Sequence, residues 1–115
     1  MDPSSINLAT FTELQDAVGA EFATELVETF LEEAPAMLAE LRNALANGDA
    51  DAYRRAAHSL KSNSLTFGAV ELGNLARDVE LGGLDADPAH DAAVLDALDA
   101  AYATAAVLLN DLSHG

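Results

Sequence analysis

Apolar residues recur at steps of three and four along most of the chain, a spacing that places them on one face of an α-helix. β-Branched residues are scattered and never alternate with polar ones over a useful length, so no strand is predicted. After a loose leader over residues 1–9, the capping-box sequence Thr10–Glu13 predicts a short first helix that ends near Gly19. The chain is therefore expected to fold as helices packed through their apolar faces.

The second helical pattern is the longest, and it contains a proline. It stops at Asn47-Gly48, where glycine favours a helix end. Pro35 lies inside it, and a proline ring removes one backbone donor and clashes with the preceding turn. We therefore expect a kink, or a break between two collinear helices, near residues 31–35. The apolar residues of this pattern are Phe22, Leu26, Phe30, Ala34, Met37, Leu38, Leu41 and Leu45.

Three further helices are predicted downstream, over residues 50–66, 69–81 and 88–112. Asp49 is expected to cap the first of them, and Gly68 marks the tight turn into the second. Four main helices with short links predict an all-α fold, an antiparallel four-helix bundle with a short N-terminal capping helix. A chain of 115 residues is long enough for one core and too short for two, so a single domain over residues 1–115 is expected.

Charge and composition restrict the function. Twenty acidic side chains against five basic ones give a formal net charge of −15, which argues against nucleic acid and anionic membranes as partners. The absence of cysteine excludes a disulfide framework and a cysteine nucleophile. No apolar run approaches the roughly 18–20 residues of a membrane span, and residues 1–5 do not resemble a secretory signal. A cytoplasmic protein without a membrane partner is expected.

The few cations of the chain surround one histidine. On a helical projection, His58 falls on the side away from the apolar stripe, with basic residues one turn before it and one turn after it. An acidic chain that keeps its cations around an exposed histidine is expected to hold an anion there. Four of the five basic residues lie between positions 54 and 77: Arg54, Arg55, Lys61 and Arg77.

Histidine can act as a base, a metal ligand or a nucleophile, and each role needs different neighbours. Base catalysis of hydrolysis needs a nucleophile, an oxyanion pocket and a cleft, which an exposed position on a bundle helix does not supply. A metal site in a bundle favours a Glu-x-x-His spacing, but the residue three before His58 is Arg55, so no metal site is expected. Nucleophilic attack on a phosphoryl group fits better, because nearby cations stabilise the charge on the phosphoryl oxygens.

The residues around this histidine form a motif that continues into the next helix. Residues 57–64 read Ala-His-Ser-Leu-Lys-Ser-Asn-Ser, and Phe67-Gly68-Ala69 and Val79-Glu80 follow. This combination resembles the signature of histidine-containing phosphotransfer (HPt) domains of two-component phosphorelays. The similarity extends upstream to residues 30–35 and to the leucine spacing of the second helix, so it covers most of the chain.

The resemblance implies a role for each matching residue. His58 would be phosphorylated on Nε2, accepting the group from the aspartyl phosphate of one receiver domain and donating it to another. Lys61 would lie beside the phosphoryl oxygens, and Glu80 would accept a hydrogen bond from Nδ1–H, leaving Nε2 free to attack. Gly68 would allow the turn that brings the helix of Glu80 alongside. The receiver would supply Mg²⁺, so no cofactor is expected in this chain.

A docking face for the receiver domain follows from the same resemblance. Ser62 replaces the glycine often found after the lysine, so its hydroxyl either bonds the phosphoryl group or packs more tightly against the partner. Ser64 is expected to support close helix packing, and Arg77 either pairs with Glu80 or helps to hold the phosphoryl group. Arg54 and Arg55 either take part in receiver docking or only balance nearby acids. The expected docking residues are Arg54, Arg55, Ser62 and Leu65.

Two other functions stay open at this point. In one, the chain is the substrate (phosphoacceptor) domain of a chemotaxis-type histidine kinase, and His58 receives its phosphoryl group from ATP through a separate catalytic domain. In the other, it is a non-catalytic helical adaptor; a metal-binding bundle is more distant. No stretch resembles an ATP site, so we expect a phosphocarrier without autonomous turnover, and a monomer is the simplest expected oligomeric state. Its expected partners are receiver domains, with a hybrid histidine kinase as a further option.

Overall fold

The computed structural model describes residues 6–84 and 88–114, and the regular structure in these two ranges is entirely α-helical, which confirms the all-α class. Residues 1–5 of the leader and most of the linker before the last helix lie outside the described residues. The helices are α1 (Leu8–Val18), α2 (Ala20–Asn47), α3 (Ala50–Thr66), α4 (Val70–Gly82) and α5 (Pro88–His114).

The first helix begins earlier than the sequence pattern predicts. Its N-cap is Asn7, whose side-chain oxygen accepts a hydrogen bond from the backbone N–H of Thr10 at 3.2 Å. The prediction that Thr10 opens the helix is therefore wrong, because asparagine is at least as good a cap and stands three residues upstream. The N–H of Asn7 also donates to the carbonyl oxygen of Gly68 at 2.6 Å. The start of α1 is thus bound to the turn between α3 and α4.

Gly68 is required at that turn for two reasons. Its φ of +78° is a left-handed conformation that residues with a side chain rarely adopt. A Cβ atom at this position would lie 2.6 Å from the carbonyl oxygen of Asn7, which is backbone and cannot move aside easily. The predicted turn at Gly68 is therefore confirmed. Its carbonyl oxygen also binds the N-terminal end of α1 through the N–H of Asn7.

α2 runs without interruption through Pro35, so of the two alternatives expected there, a kink or a break, the break does not occur. A proline at this position leaves the carbonyl oxygen of Leu31, four residues earlier, without its usual backbone donor. The structure supplies a replacement, because the hydroxyl of Tyr102 on α5 donates to that oxygen at 3.1 Å. The helix then continues to Gly48, whose left-handed conformation (φ +66°) ends it.

The two longest helices, α2 and α5, pack against each other in opposite directions. Near the start of α2, the Thr24 hydroxyl donates to the carbonyl oxygen of Ser113 at the end of α5. Near the end of α2, Arg42 bonds the carboxylates of Asp96 at 2.9 Å and of Asp99 on the first half of α5. α3 and α4 also run in opposite directions, and their contacts form the candidate site.

The predicted apolar stripes of α3 and α4 face one shared core. Among the α2 positions, Phe22 departs from its prediction, because 49% of it is exposed at the start of the helix. Asp49 caps α3 as predicted, since its side chain accepts from the N–H of Ala52 at 3.0 Å. The largest fully buried side chains are Tyr53, Leu41, Leu60, Leu72, Leu95, Leu98, Leu109 and Val27.

One helix within the described residues is long and apolar enough to cross a membrane by length and composition, namely Ala89–Ser113 in α5, with a mean hydropathy of 1.6. The statement that no apolar run approaches this length is therefore wrong, because the many alanines of α5 count as apolar. Core helices pass the same test. α5 contributes Leu95, Leu98 and Leu109 to the core, but only 28% of the apolar window is buried.

Candidate functional site

His58 lies in the middle of α3 on its outer side, as the apolar period predicts. Its neighbours Ala57 and Leu60 are fully buried, whereas 57% of the His58 side chain is exposed. The ring is therefore accessible to a partner molecule and is not part of the core.

A single carboxylate joins this histidine to the nearest lysine. Glu80 on α4 places Oε2 2.5 Å from Nδ1 of His58 and Oε1 2.7 Å from Nζ of Lys61. Only 16% of the Glu80 side chain and 22% of the Lys61 side chain are exposed. The hydrogen bond from Lys61 is the largest influence and lowers the pKa of Glu80. Burial opposes it, and the hydrogen bond with His58 lowers the pKa to a smaller extent.

The charge state of Glu80 fixes the tautomer of the neutral ring. An ionised carboxylate only accepts hydrogen bonds, so the proton of a neutral His58 ring must lie on Nδ1. Nε2 then carries the lone pair. In the part of the chain that the structure describes, His58 makes no second hydrogen bond, so this lone pair is available to an electrophile.

Close packing between α3 and α4 brings these side chains together. Gly73 on α4 is buried, and a Cβ atom there would lie 2.5 Å from Cδ2 of Leu65. Ser64 is buried at the same level, and its hydroxyl donates to the carbonyl oxygen of Leu60 at 2.6 Å. Ser64 thus lies where the sequence predicts a packing residue, and its support role stays a prediction. The importance of Gly73 was not predicted, although a glycine inside a helical pattern is a known signal of close approach.

The other predicted cations are less directly connected to the site. Arg54 pairs with Asp51 at 3.4 Å, and Nε of Arg55 donates to the backbone oxygen of the same residue at 3.3 Å. For Arg54 this favours the interpretation that it balances a nearby acid, whereas the Arg55 contact is with a backbone carbonyl oxygen. Arg77 is exposed and makes no hydrogen bond or ion pair within the described ranges, so the predicted pairing of Arg77 with Glu80 does not form.

All four predicted docking residues are exposed on the same helix as His58. Ser62 lies one turn after the histidine, and Leu65 is 40% exposed although it covers Gly73. Within residues 6–84 and 88–114, no group of three or more His, Asp or Glu residues is placed to hold a metal ion. The site is thus a histidine, a shared carboxylate and a lysine next to a small apolar surface.

Residues 25–104, more than half of the chain, match the family profile described as Hpt domain. The chain belongs to the Hpt family. A solved Hpt structure, the crystal structure of histidine-containing phosphotransfer protein B (HptB) from Pseudomonas aeruginosa PAO1, has the same fold. Its TM-score is 0.85 at 23% sequence identity, and the match covers 98% of this chain and 97% of that one. No curated protein matches the chain in sequence.

Membership of the Hpt family confirms the resemblance that the sequence motif indicates. It gives the protein a role in histidine phosphotransfer within two-component phosphorelays.

Proposed function

We propose that this Hpt protein relays phosphoryl groups between receiver domains through phosphohistidine at His58. The observation that carries the proposal is the carboxylate of Glu80 on Nδ1, since it leaves the lone pair on the exposed Nε2. The other histidine whose side chain is described, His90, lies on α5 and has no such partner among the described residues. His58 therefore has the better geometry for attack on phosphorus.

The transfer step needs no acid or base from this chain. The Nε2 lone pair bonds to phosphorus while the bond from phosphorus to the aspartyl oxygen breaks, and that electron pair leaves with the receiver's carboxylate. The Nδ1 proton stays in place, so the phosphorylated ring is cationic, and Glu80 stabilises that charge. Lys61 neutralises charge on the phosphoryl oxygens. Transfer to the next receiver is the same step in reverse.

The proposal extends to the whole chain and its partners. α2 to α5 form an antiparallel four-helix bundle with α1 as a cap over one end, and the protein is a single-domain cytoplasmic monomer. The chain itself needs no cofactor, because Mg²⁺ belongs to the receiver and acts on the phosphoryl group there. A hybrid histidine kinase is a further partner, since such kinases carry receiver domains.

The receiver docks over the exposed side of α3. Leu65 offers apolar area next to the site, and Ser62 allows a partner to approach His58 because its side chain is small. Arg54 and Arg55 lie at the edge of this face, and although Arg54 pairs with Asp51, both side chains stay exposed, so they can raise the association rate with an acidic partner more than its affinity.

The test is phosphate uptake from a labelled donor. Wild-type protein, His58→Gln and the control His90→Gln are each incubated with phosphorylated receiver domains, and acid-labile phosphate is measured. We expect uptake by the wild type and the control and none by His58→Gln. Uptake by His58→Gln contradicts the proposal. A parallel incubation with a chemotaxis-type kinase and ATP separates the two classes of donor, because a substrate domain takes up phosphate from that source.

A further inference from the structure

Arg77 is exposed on α4 and differs from the other basic side chains. Among the residues that the structure describes, it makes no hydrogen bond or ion pair. In a chain with a net charge of −15, it is therefore the cation most available to a partner. Each of the other four has a partner within the chain: Arg42 bonds Asp96 and Asp99, Arg54 and Arg55 bond Asp51, and Lys61 bonds Glu80.

Arg77 lies at the exposed edge of the contact between α3 and α4. It follows Gly73 by four residues and precedes Glu80 by three, so all three lie on one side of α4. Gly73 approaches Leu65, and Glu80 bonds His58. Arg77 is thus placed between these two contacts, on the outer side of the candidate site.

An exposed leucine extends this part of the surface. Leu81 follows Arg77 by one turn and is 77% exposed. Asn74, one turn before Arg77, is also exposed. We call Asn74, Arg77 and Leu81 the α4 rim. Arginine is enriched among the residues that carry binding energy in interfaces, and apolar neighbours that exclude water strengthen its contribution.

We infer that the α4 rim is part of the surface that binds the receiver domain, and that Arg77 selects receivers with a carboxylate opposite it. This inference rests on the proposed function. Even a small transient interface covers about 500 Å² on each partner, a patch about 25 Å across. The axes of packed helices are only about 8–10 Å apart, so a receiver centred on His58 also covers α4.

The charge of Arg77 provides the selectivity. A guanidinium group binds a carboxylate through two parallel hydrogen bonds. Because Arg77 has no partner within the described ranges, no printed contact of its own has to break first. A receiver with lysine or arginine at the facing position is repelled instead. Lys61 does not discriminate in this way, because it acts on the phosphoryl group that every receiver brings.

The test compares Arg77→Gln with the control Arg42→Gln, which removes the same charge from the distant α2–α5 contact. The probe is the receiver domain that transfers phosphate fastest to the wild type. Arg77→Gln should raise the KM for this receiver about fivefold, the worth of one exposed ion pair, and leave the rate at saturation unchanged. The effect should shrink at high salt, which screens exposed charges. Arg42→Gln should keep the wild-type KM.

The apolar part of the rim has its own control. Leu81→Ser should raise the same KM about tenfold through lost apolar burial, and this effect should persist at high salt. Val107 is another exposed apolar residue, 57% exposed on α5, which packs against α2 and α4. Val107→Ser should therefore change nothing. Circular dichroism checks that each variant remains helical.

Selectivity is measured across the receiver domains of the host. Arg77→Glu should reduce transfer from the receivers that the wild type prefers more than transfer from the others. An equal reduction with every receiver would refute the selective role.

Three further results would overturn the inference. They are a wild-type KM in Arg77→Gln, equal changes in Arg77→Gln and Arg42→Gln, and a lower rate at saturation with an unchanged KM, which would place Arg77 on the phosphoryl group. Binding of the unphosphorylated receiver to His58→Gln protein measures docking without transfer. An unchanged Kd on adding Arg77→Gln to that protein would refute the inference alone, whereas phosphate uptake by His58→Gln would refute the proposed function.

Discussion

Tyr102→Phe is expected to destabilise the protein through the backbone of another helix. The hydroxyl of Tyr102 donates to the carbonyl oxygen of Leu31 at 3.1 Å, and that oxygen lacks its helical donor because residue 35 is proline. Phenylalanine keeps the ring and its edge contact with Phe30, whose ring centroid lies 6.3 Å away, so little packing is lost. The substitution therefore tests the hydrogen bond alone.

The expected cost is about 1 kcal/mol, the usual net contribution of one hydrogen bond. Burial is sufficient to raise the pKa of the Tyr102 hydroxyl, so water does not simply replace the bond at full strength. For a chain of this size, a loss of that magnitude lowers the melting temperature by about 4 °C. Urea unfolding followed by circular dichroism at helical wavelengths measures the loss in free energy of unfolding directly, provided that the slope of this free energy against urea concentration is the same in both proteins.

A double-mutant cycle with Pro35→Ala decides the mechanism. Alanine at position 35 restores a backbone donor to the Leu31 carbonyl oxygen, so Tyr102→Phe should cost close to nothing in that background. The coupling between the two positions should then be about 1 kcal/mol. An equal cost of Tyr102→Phe with proline and with alanine at position 35 would show that the hydroxyl has another role.

Three further predictions concern the site and its supports. Lys61→Ala should slow phosphotransfer about tenfold, less than the loss of a buried oxyanion donor, with an unchanged circular dichroism spectrum; wild-type kinetics would contradict its role. Gly68→Ala should cost about 2 kcal/mol or more from backbone strain plus the clash with Asn7. The control Gly48→Ala has a similar φ with nothing within 4 Å of the new Cβ atom, so it should cost only about 1 kcal/mol, and equal costs would exclude the clash. Because the Lys61 hydrogen bond depresses the pKa of Glu80, the contacts of the ionised Glu80 carboxylate should persist below pH 4.5. They should disappear as the pH falls through the lowered pKa. A carboxyl ¹³C titration of Glu80 with a midpoint at or above 4.5 would contradict this.

Features set by neighbouring residues could be predicted from the sequence. The apolar period alone gives the helices and the outward position of His58, because both depend on 3.6 residues per turn. Asp49 caps α3 as predicted, since a cap needs only a side chain and a backbone donor three residues on. The wrongly predicted start of α1 also concerns a local capping choice. Asn7 and Thr10 both satisfy the rule for a cap, and the hydrogen bond from Asn7 to the distant Gly68 favours the earlier one.

Features that depend on distant residues could not be predicted in this way. The break expected at Pro35 is absent because Tyr102, far away in sequence, supplies the missing donor. The contact of Glu80 with His58 was implied only by the family resemblance, since no periodicity relates the two positions. The bond from Lys61 to the same carboxylate was not predicted at all. It depends on the register of α3 against α4, which the buried Gly73 helps to set.

The shared carboxylate resolves an electrostatic conflict in an acidic phosphocarrier. A carboxylate is useful on Nδ1 because it fixes the tautomer, but an uncompensated negative charge so close to the ring would repel an incoming phosphoryl group. In a chain with a net charge of −15, this repulsion adds to that of the whole surface. Lys61 compensates Glu80 at 2.7 Å in the unphosphorylated protein. Under the proposed function, the cationic ring of phosphorylated His58 would compensate Glu80 instead, so the ammonium group would become available to the phosphoryl oxygens. Neither state then leaves the carboxylate without a positive partner.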